Sequence, residues 1–233
     1  MFKKKHLFER SNHLAPMKSK VSLLAIVGSQ RKNGNSYYLA KTVFESLPVS
    51  YKTIQLAEKN IGFCTLCEQC KDGGDCVLQD DFNEILKEMQ AADGIVFSSP
   101  KYLFVGSKFL AFLERLDTLV HMRKHGGYEH KAEKPNSELF SGKPFCIFLT
   151  SGTGQVENEI LRIAEEYIEA LGLKPVFSDR TPHLGVNVKT GDAKGKVLHN
   201  KEAIEECREV VARMVNLIER APHKRLKERK NQL

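Results

Sequence analysis

Residues 21–36 read VSLLAIVGSQRKNGNS, a β-branched and aliphatic run of seven interrupted only by Ser22, then a cluster rich in Gly, Asn and Ser. An apolar run of that length predicts a buried strand, and the polar, glycine-containing cluster after it breaks the strand and opens a helix. The product is a strand, a tight loop and a helix N-terminus. Such a loop presents unpaired backbone N–H groups and the positive end of a helix dipole, and here Ser29, Arg31, Asn35 and Ser36 add hydroxyl, guanidinium and amide donors around Gly34. The chemistry fits a phosphate. Five residues separate Gly28 from Gly34 and Asn35 follows, so this is not the nucleotide-binding P-loop, which needs four residues between its glycines and then Lys-Ser or Lys-Thr. From the loop alone, a polar turn in which Asn35 or Ser36 merely caps the helix remains the competing reading.

Outward from this stretch, 233 residues with 41% apolar content suffice for one sizeable core. The formal charge of +7 is unevenly placed: residues 1–20 and 220–233 each carry a net +5, which leaves −3 on the body between them. A slightly acidic body with basic ends argues against a nucleic-acid reader, whose positive footprint lies on a folded face. We therefore expect a basic extension over 1–20, one domain over 21–219 and a basic tail over 220–233. Neither a signal peptide nor a membrane span is legible, so the expected location is the cytoplasm, without membrane or nucleic-acid partners.

From Val21 onward, strand-like and helix-like segments alternate, the pattern of a parallel sheet covered on both faces. Strands are expected at 21–27, 51–56, 94–99, 145–150 and 174–178. Helices are expected from the stripes of Leu39, Val43 and Leu47, of Phe82, Ile85, Leu86 and Met89, of Phe109, Leu110, Leu113 and Leu116, of Ile160 to Leu171 including Tyr167, and of Ile204 to Ile218. Asp81 with Glu84 three residues later reads as a capping box for the second helix. Residues 121–142 read as a polar insertion before the fourth strand, and its histidines 121, 125 and 130 as loop residues rather than metal ligands. Cys146 and Cys207 read as core. The fold class is thus α/β, a doubly wound five-stranded parallel sheet, in which ligands bind beyond the carboxyl ends of the strands. That rule brings together the loops 28–36, 100–106 and 151–156.

These three loops, GSQRKNGNS, SSPKY and TSGTGQ, resemble the flavin-contacting loops of the NAD(P)H-dependent FMN reductases of the flavodoxin-like fold, and Cys64-x2-Cys67-x2-Cys70-x5-Cys76 resembles the compact motif of the iron-sulfur flavoproteins. The resemblance runs from about residue 21 to 219. It implies that Ser29, Arg31, Gly34, Asn35 and Ser36 hold the FMN phosphate. Pro100, Lys101, Tyr102 and Leu103 would line the isoalloxazine ring, and Ser151, Gly152 and Gly154 would close over its other edge. Lys101 stands where such proteins more often have an aliphatic residue, and its ammonium is expected to point into water. The resemblance also implies a homodimer or higher oligomer, NAD(P)H as co-substrate, and a small molecule or redox protein as electron donor and acceptor.

Four thiols within thirteen residues can converge on one metal group because a short irregular loop turns them inward. Cubane clusters of ferredoxins use two-residue gaps like the first two here, although their fourth cysteine follows after three residues and precedes a Pro, whereas here the gap is five and Val77 follows. The expectation is a [4Fe-4S] cluster on Cys64, Cys67, Cys70 and Cys76, with zinc and free thiols as alternatives. The corresponding function is electron transfer through FMN. A plain FMN or quinone reductase, a flavodoxin-type carrier and a cofactor-free interaction module are the other readings.

Overall fold

The computed structural model describes residues 20–126, 139–152 and 156–221. Residues 1–19 and 222–233 of the two basic ends, the segment containing His130, and Gly154 therefore lie outside the described residues. Strands β1 (Ser22–Val27), β2 (Ser50–Gln55), β3 (Gly94–Pro100), β4 (Pro144–Ser151), β5 (Lys174–Pro175) and β6 (Val186–Lys189) alternate with helices α1 (Asn35–Glu45), α2 (Phe82–Ala91), α3 (Ser107–His125), α4 (Glu157–Ala170) and α5 (Lys201–Arg220). Every described pairing is parallel and the order is β2-β1-β3-β4-β5, with β6 also on β4. This is the flavodoxin-like order, with its reversal between β1 and β3.

The alternation of side chains along each strand divides the core in two. Leu24 and Ile26 of β1 join Ile95, Phe97, Phe145 and Ile147 under α2, α3 and α4. Leu23, Ala25 and Val27 face the other way, with Val96, Cys146 and Phe148, under α1 and α5. Burial on both faces is why the strands read as continuous apolar runs.

Four sequence expectations change. The fifth strand is only two residues long: Lys174 N–H and Val176 N–H bond Lys143 O and Phe145 O on either side of Pro175, the chain then leaves the sheet, and β6 takes over the edge of β4 eleven residues later. Helix α3 continues to His125, so His121 and His125 are helical neighbours with ring centroids 4.7 Å apart rather than loop residues. Its stripe runs on through Leu119 and Met122, both buried, and Gly126 ends it at φ 71°. The capping box does not form: Asp81 accepts instead from the backbone N–H of Asn60 (2.6 Å), and Asp80 accepts from the N–H of Phe82 (3.1 Å). Tyr167, counted on the apolar face of α4, is exposed.

Glu165 sits on the buried side of α4, beside Gly185. Burial pushes its carboxyl up to about 7 from the ordinary 4.5, opposed by a hydrogen bond from Gly185 N–H and helped by the charge of Glu169. Because the folded state holds this proton more tightly, its contribution is complete below pH 4.5 and is lost as pH rises through about 7, on the order of 3 kcal/mol in all. Glu165→Gln should flatten that decline in melts recorded across this pH window. An unchanged slope in the variant would show that other groups carry it.

Candidate functional site

The C-terminal ends of β1, β3, β4 and β6 place four loops side by side. Gly28 N–H donates to Ser98 O (2.8 Å), which pins the first loop to β3. A Cβ on Gly106 would lie 2.2 Å from Gly28 O, and one on Gly28 would lie 2.6 Å from Phe109 Cβ, so the first two loops touch through atoms that no side chain could share. The third expected loop follows β4, and Lys101 N–H bonds Thr150 O there (2.8 Å).

Within the first loop, Ser29 is buried and its Oγ accepts from Arg31 N–H (3.0 Å). Asn33 takes the left-handed conformation, φ 52°, and its N–H donates to Gln55 Oε1 (2.8 Å). Helix α1 then starts after Gly34 with no side-chain cap and no acidic residue in its first turn. Its first N–H groups, those of Asn35 and Ser36, lie where an α-helix has no internal acceptor for them. The helix therefore offers backbone donors and a positive dipole end to an anion.

The side chains of Asn35 and Ser36 point elsewhere. Asn35 Nδ2 donates to Thr190 Oγ1 (3.3 Å), Gly191 O (3.2 Å) and Ala193 O (3.0 Å), and Oδ1 accepts from Val197 N–H (3.4 Å). Ser36 Oγ shares a hydrogen bond with Thr150 Oγ1 (2.8 Å) in the core, while its carbonyl accepts from Ser98 Oγ (2.9 Å). Arg31 is exposed and its guanidinium donates to Asp192 O (3.0 Å). The segment 190–193, which follows the unexpected β6, is thus a fourth loop of the site. Its trace in the sequence is the short VNV alternation before a Thr-Gly-Asp turn, with Gly191 at φ 70°.

On the opposite side, Tyr102 is half exposed and Leu103 is 98% exposed, an apolar side chain standing free beside the strand ends. Lys101 does not point into water. Its ammonium lies 3.6 Å from Glu157 Oε1, with the Lys side chain 14% and the Glu side chain 5% exposed. That oxygen makes no hydrogen bond among the described residues, so the ion pair is what offsets the cost of burying the carboxylate in the first turn of α4. Ser151 is buried with Oγ donating to Asn187 Oδ1 (3.3 Å), and a Cβ on Gly152 would meet Asp192 Oδ1 at 2.6 Å.

The cysteine loop follows β2 and lies against α3. Cys64, Cys67, Cys70 and Cys76 are all free thiols, and all four line one cavity of about 20 Å³ together with Leu66, Leu78 and Arg115. Leu66 and Glu68, on either side of Cys67, have φ 52° and 55°, and this pair of left-handed turns folds the loop back on itself. Burial raises the Cys70 thiol, a backbone hydrogen bond opposes it, and charge on the other three cysteines raises it further. Among the described residues, no three His, Cys, Asp or Glu side chains stand close enough to hold a metal ion. The chemistry of the donor set nonetheless suits a thiolate-bound metal group: four soft donors in no disulfide line one cavity beside a buried cation.

That cation is Arg115, 2% exposed, whose guanidinium donates to Asp80 Oδ2, to Gly62 O (3.2 Å) and to Cys76 Sγ (3.1 Å) and stacks 4.2 Å over the Phe82 ring. Burial alone would lower its affinity for the proton, but the bonds to Asp80 and Cys76 raise it, while Arg115 holds the Asp80 carboxyl low against its own desolvation. A larger surface hollow of about 390 Å³, lined by Ser178, Asp179, Arg208, Arg213 and Leu217, is apart from both features. Among the described residues no helix is long and apolar enough to cross a membrane.

A family model described as NADPH-dependent FMN reductase matches residues 21–178. An iron-sulfur flavoprotein of Methanocaldococcus jannaschii is 36% identical over 85 residues, 35% of this chain and 44% of that protein. One of Archaeoglobus fulgidus is 28% identical over 211 residues, 85% of this chain and 96% of the relative. The chain thus spans less than half of the first relative and nearly all of the second. Among solved structures, a flavone reductase superposes with TM-score 0.58 at 18% identity, over 87% of this chain and 65% of that one, a likeness of fold.

Because the one side chain of Asn35 bonds Thr190, Gly191, Ala193 and Val197, Asn35→Ala should loosen the fourth loop. We expect a loss of about 1–2 kcal/mol and faster amide hydrogen exchange confined to residues 190–197. Protection there equal to that of the parent protein would mean that strand pairing by β6 holds the loop without Asn35.

Proposed function

The chain belongs to the NADPH-dependent FMN reductase family, and from that membership we propose that it is an FMN-dependent oxidoreductase of the iron-sulfur flavoprotein type, moving electrons between NAD(P)H or a small carrier, FMN and a cluster. The observation that carries the reading is the uncapped N-terminus of α1, which opens between the ends of β1, β3, β4 and β6 with neither an acid nor a side-chain cap to occupy it.

In this reading FMN supplies a hydride-accepting ring that can also release electrons one at a time. The protein binds, positions and shields it. Ser29, Arg31 and Gly34 hold the phosphate together with the backbone N–H groups of Asn35 and Ser36, whose side chains brace the loop from behind. Pro100, Tyr102 and Leu103 form one wall for the ring, and the free side chain of Leu103 acquires its apolar partner there, or in a second copy of the chain. Lys101 is held by Glu157, so it offers the ring a cation already neutralised at short range. Ser151 and Gly152 close the far edge. Small-molecule or protein donors and acceptors exchange electrons at this same open edge, and a homodimer is part of the proposal.

Cys64, Cys67, Cys70 and Cys76 are the proposed ligands of a [4Fe-4S] cluster, supported by the shared cavity, by Arg115 at Cys76, and by two relatives named iron-sulfur flavoproteins. The separation of the sulfurs favours a second reading, an FMN reductase with free thiols and no cluster.

Two measurements follow. FMN should bind more tightly than riboflavin, and Arg31→Ala should weaken FMN at least tenfold while leaving riboflavin nearly unchanged. Equal affinities in the parent protein would remove the phosphate assignment. For the cysteine loop, Cys67→Ala protein prepared without oxygen should lose iron and keep FMN, with Cys146→Ala as a control that keeps both. Iron content unaffected by Cys67→Ala would exclude Cys67 as a ligand.

A further inference from the structure

Arg115 has no part in the proposed flavin site, yet it is a fully buried charge, and a charge is placed there at a cost that its partners must offset. Three of those partners belong to the cysteine loop and its exit: Gly62 O, Cys76 Sγ at 3.1 Å and Asp80 Oδ2. Asp80 is itself fixed by N–H donors from Gly62 (2.8 Å) and Phe82 (3.1 Å), so one acid and one base tie both ends of the segment 62–80 to α3. A lone Asp–Arg pair could close that loop without touching sulfur. Here the second guanidinium nitrogen is turned to Cys76, and Phe82 beneath it at 4.2 Å fixes the plane in which it points.

We propose that Arg115 is a positioning residue that fixes Cys76 and sets the reduction potential of the metal group held by the four cysteines, with Asp80 as its counterweight. The inference rests on the cluster reading above. A hydrogen bond donated to a ligand sulfur, and a positive charge beside it, stabilise the reduced, more negative form over the oxidised one and so raise the potential. Asp80 acts with the opposite sign and limits that rise. The two residues form one element of adjustment, and their removal has opposite effects.

The test uses full-length protein reconstituted without oxygen with ferrous iron and sulfide, assayed for iron and FMN, and titrated electrochemically while the cluster signal is followed by electron paramagnetic resonance. Arg115→Gln should lower the cluster potential and Asp80→Asn should raise it, with FMN content as the measure of intact fold. Arg115→Lys, which retains charge and one donor, should lie between Arg115→Gln and the parent. Should Arg115→Gln not fold, the Lys and Asp80→Asn variants still give the opposite-signed pair. Parent potentials in every variant with a full iron complement, or shifts of the same sign at both positions, would overturn the role of Arg115 and leave the cluster reading standing. A parent protein that takes up no iron would overturn the cluster reading itself, and this inference with it.

Discussion

The Gly28 carbonyl and the Cα of Gly106 approach so closely that a methyl group at the second position would sit 2.2 Å from the first. That approach places the loop after β1 against the loop after β3, and the remaining geometry at the strand ends follows from it. A side chain at Gly106 would wedge the two loops apart, and one at Gly28 would push the first loop off Phe109 of α3. With them together, the start of α1 faces the ends of β3 and β4, and the Asn35 amide reaches the segment after β6. Sheet order supplies the crevice, and two glycines bring its walls within reach of one ligand.

Much of this was legible in the sequence because the strands are buried on both faces. β1, β3 and β4 are long apolar runs, and the breaks after them locate three of the four loops. β6 escaped notice since four residues with two apolar positions carry little periodic signal, and since the two-residue β5 before it leaves the edge of β4 unfinished. The continuation of α3 was available in the spacing of Leu116, Leu119 and Met122, but the charged residues and histidines among them read as an insertion. Side-chain direction was the least accessible property. Lys101 read as solvent-exposed because the buried carboxylate that receives it lies 56 positions away, and Asp80 and Arg115 are likewise joined only by the fold.

Helix α3 relates the two candidate centres. It begins at Ser107, directly after the loop proposed to hold the ring, and carries Arg115 eight residues later, a rise of about 12 Å along the axis. At its first turn, Lys108 donates to Leu56 O (3.2 Å) and Lys59 O (2.7 Å), which fastens the approach to the cysteine loop to the same helix. The two sites therefore share one rigid support, so their spacing does not depend on loop conformation alone.

The central claim is that one chain holds a two-electron flavin beside a one-electron metal group. Its most direct test is an anaerobic reductive titration of protein reconstituted with FMN, ferrous iron and sulfide, with absorbance recorded against electrons added. The account predicts flavin bands over a broad visible shoulder and an uptake of about three electrons per chain, two to FMN and one to the cluster. An end point at about two electrons, with no shoulder and no iron, would contradict it.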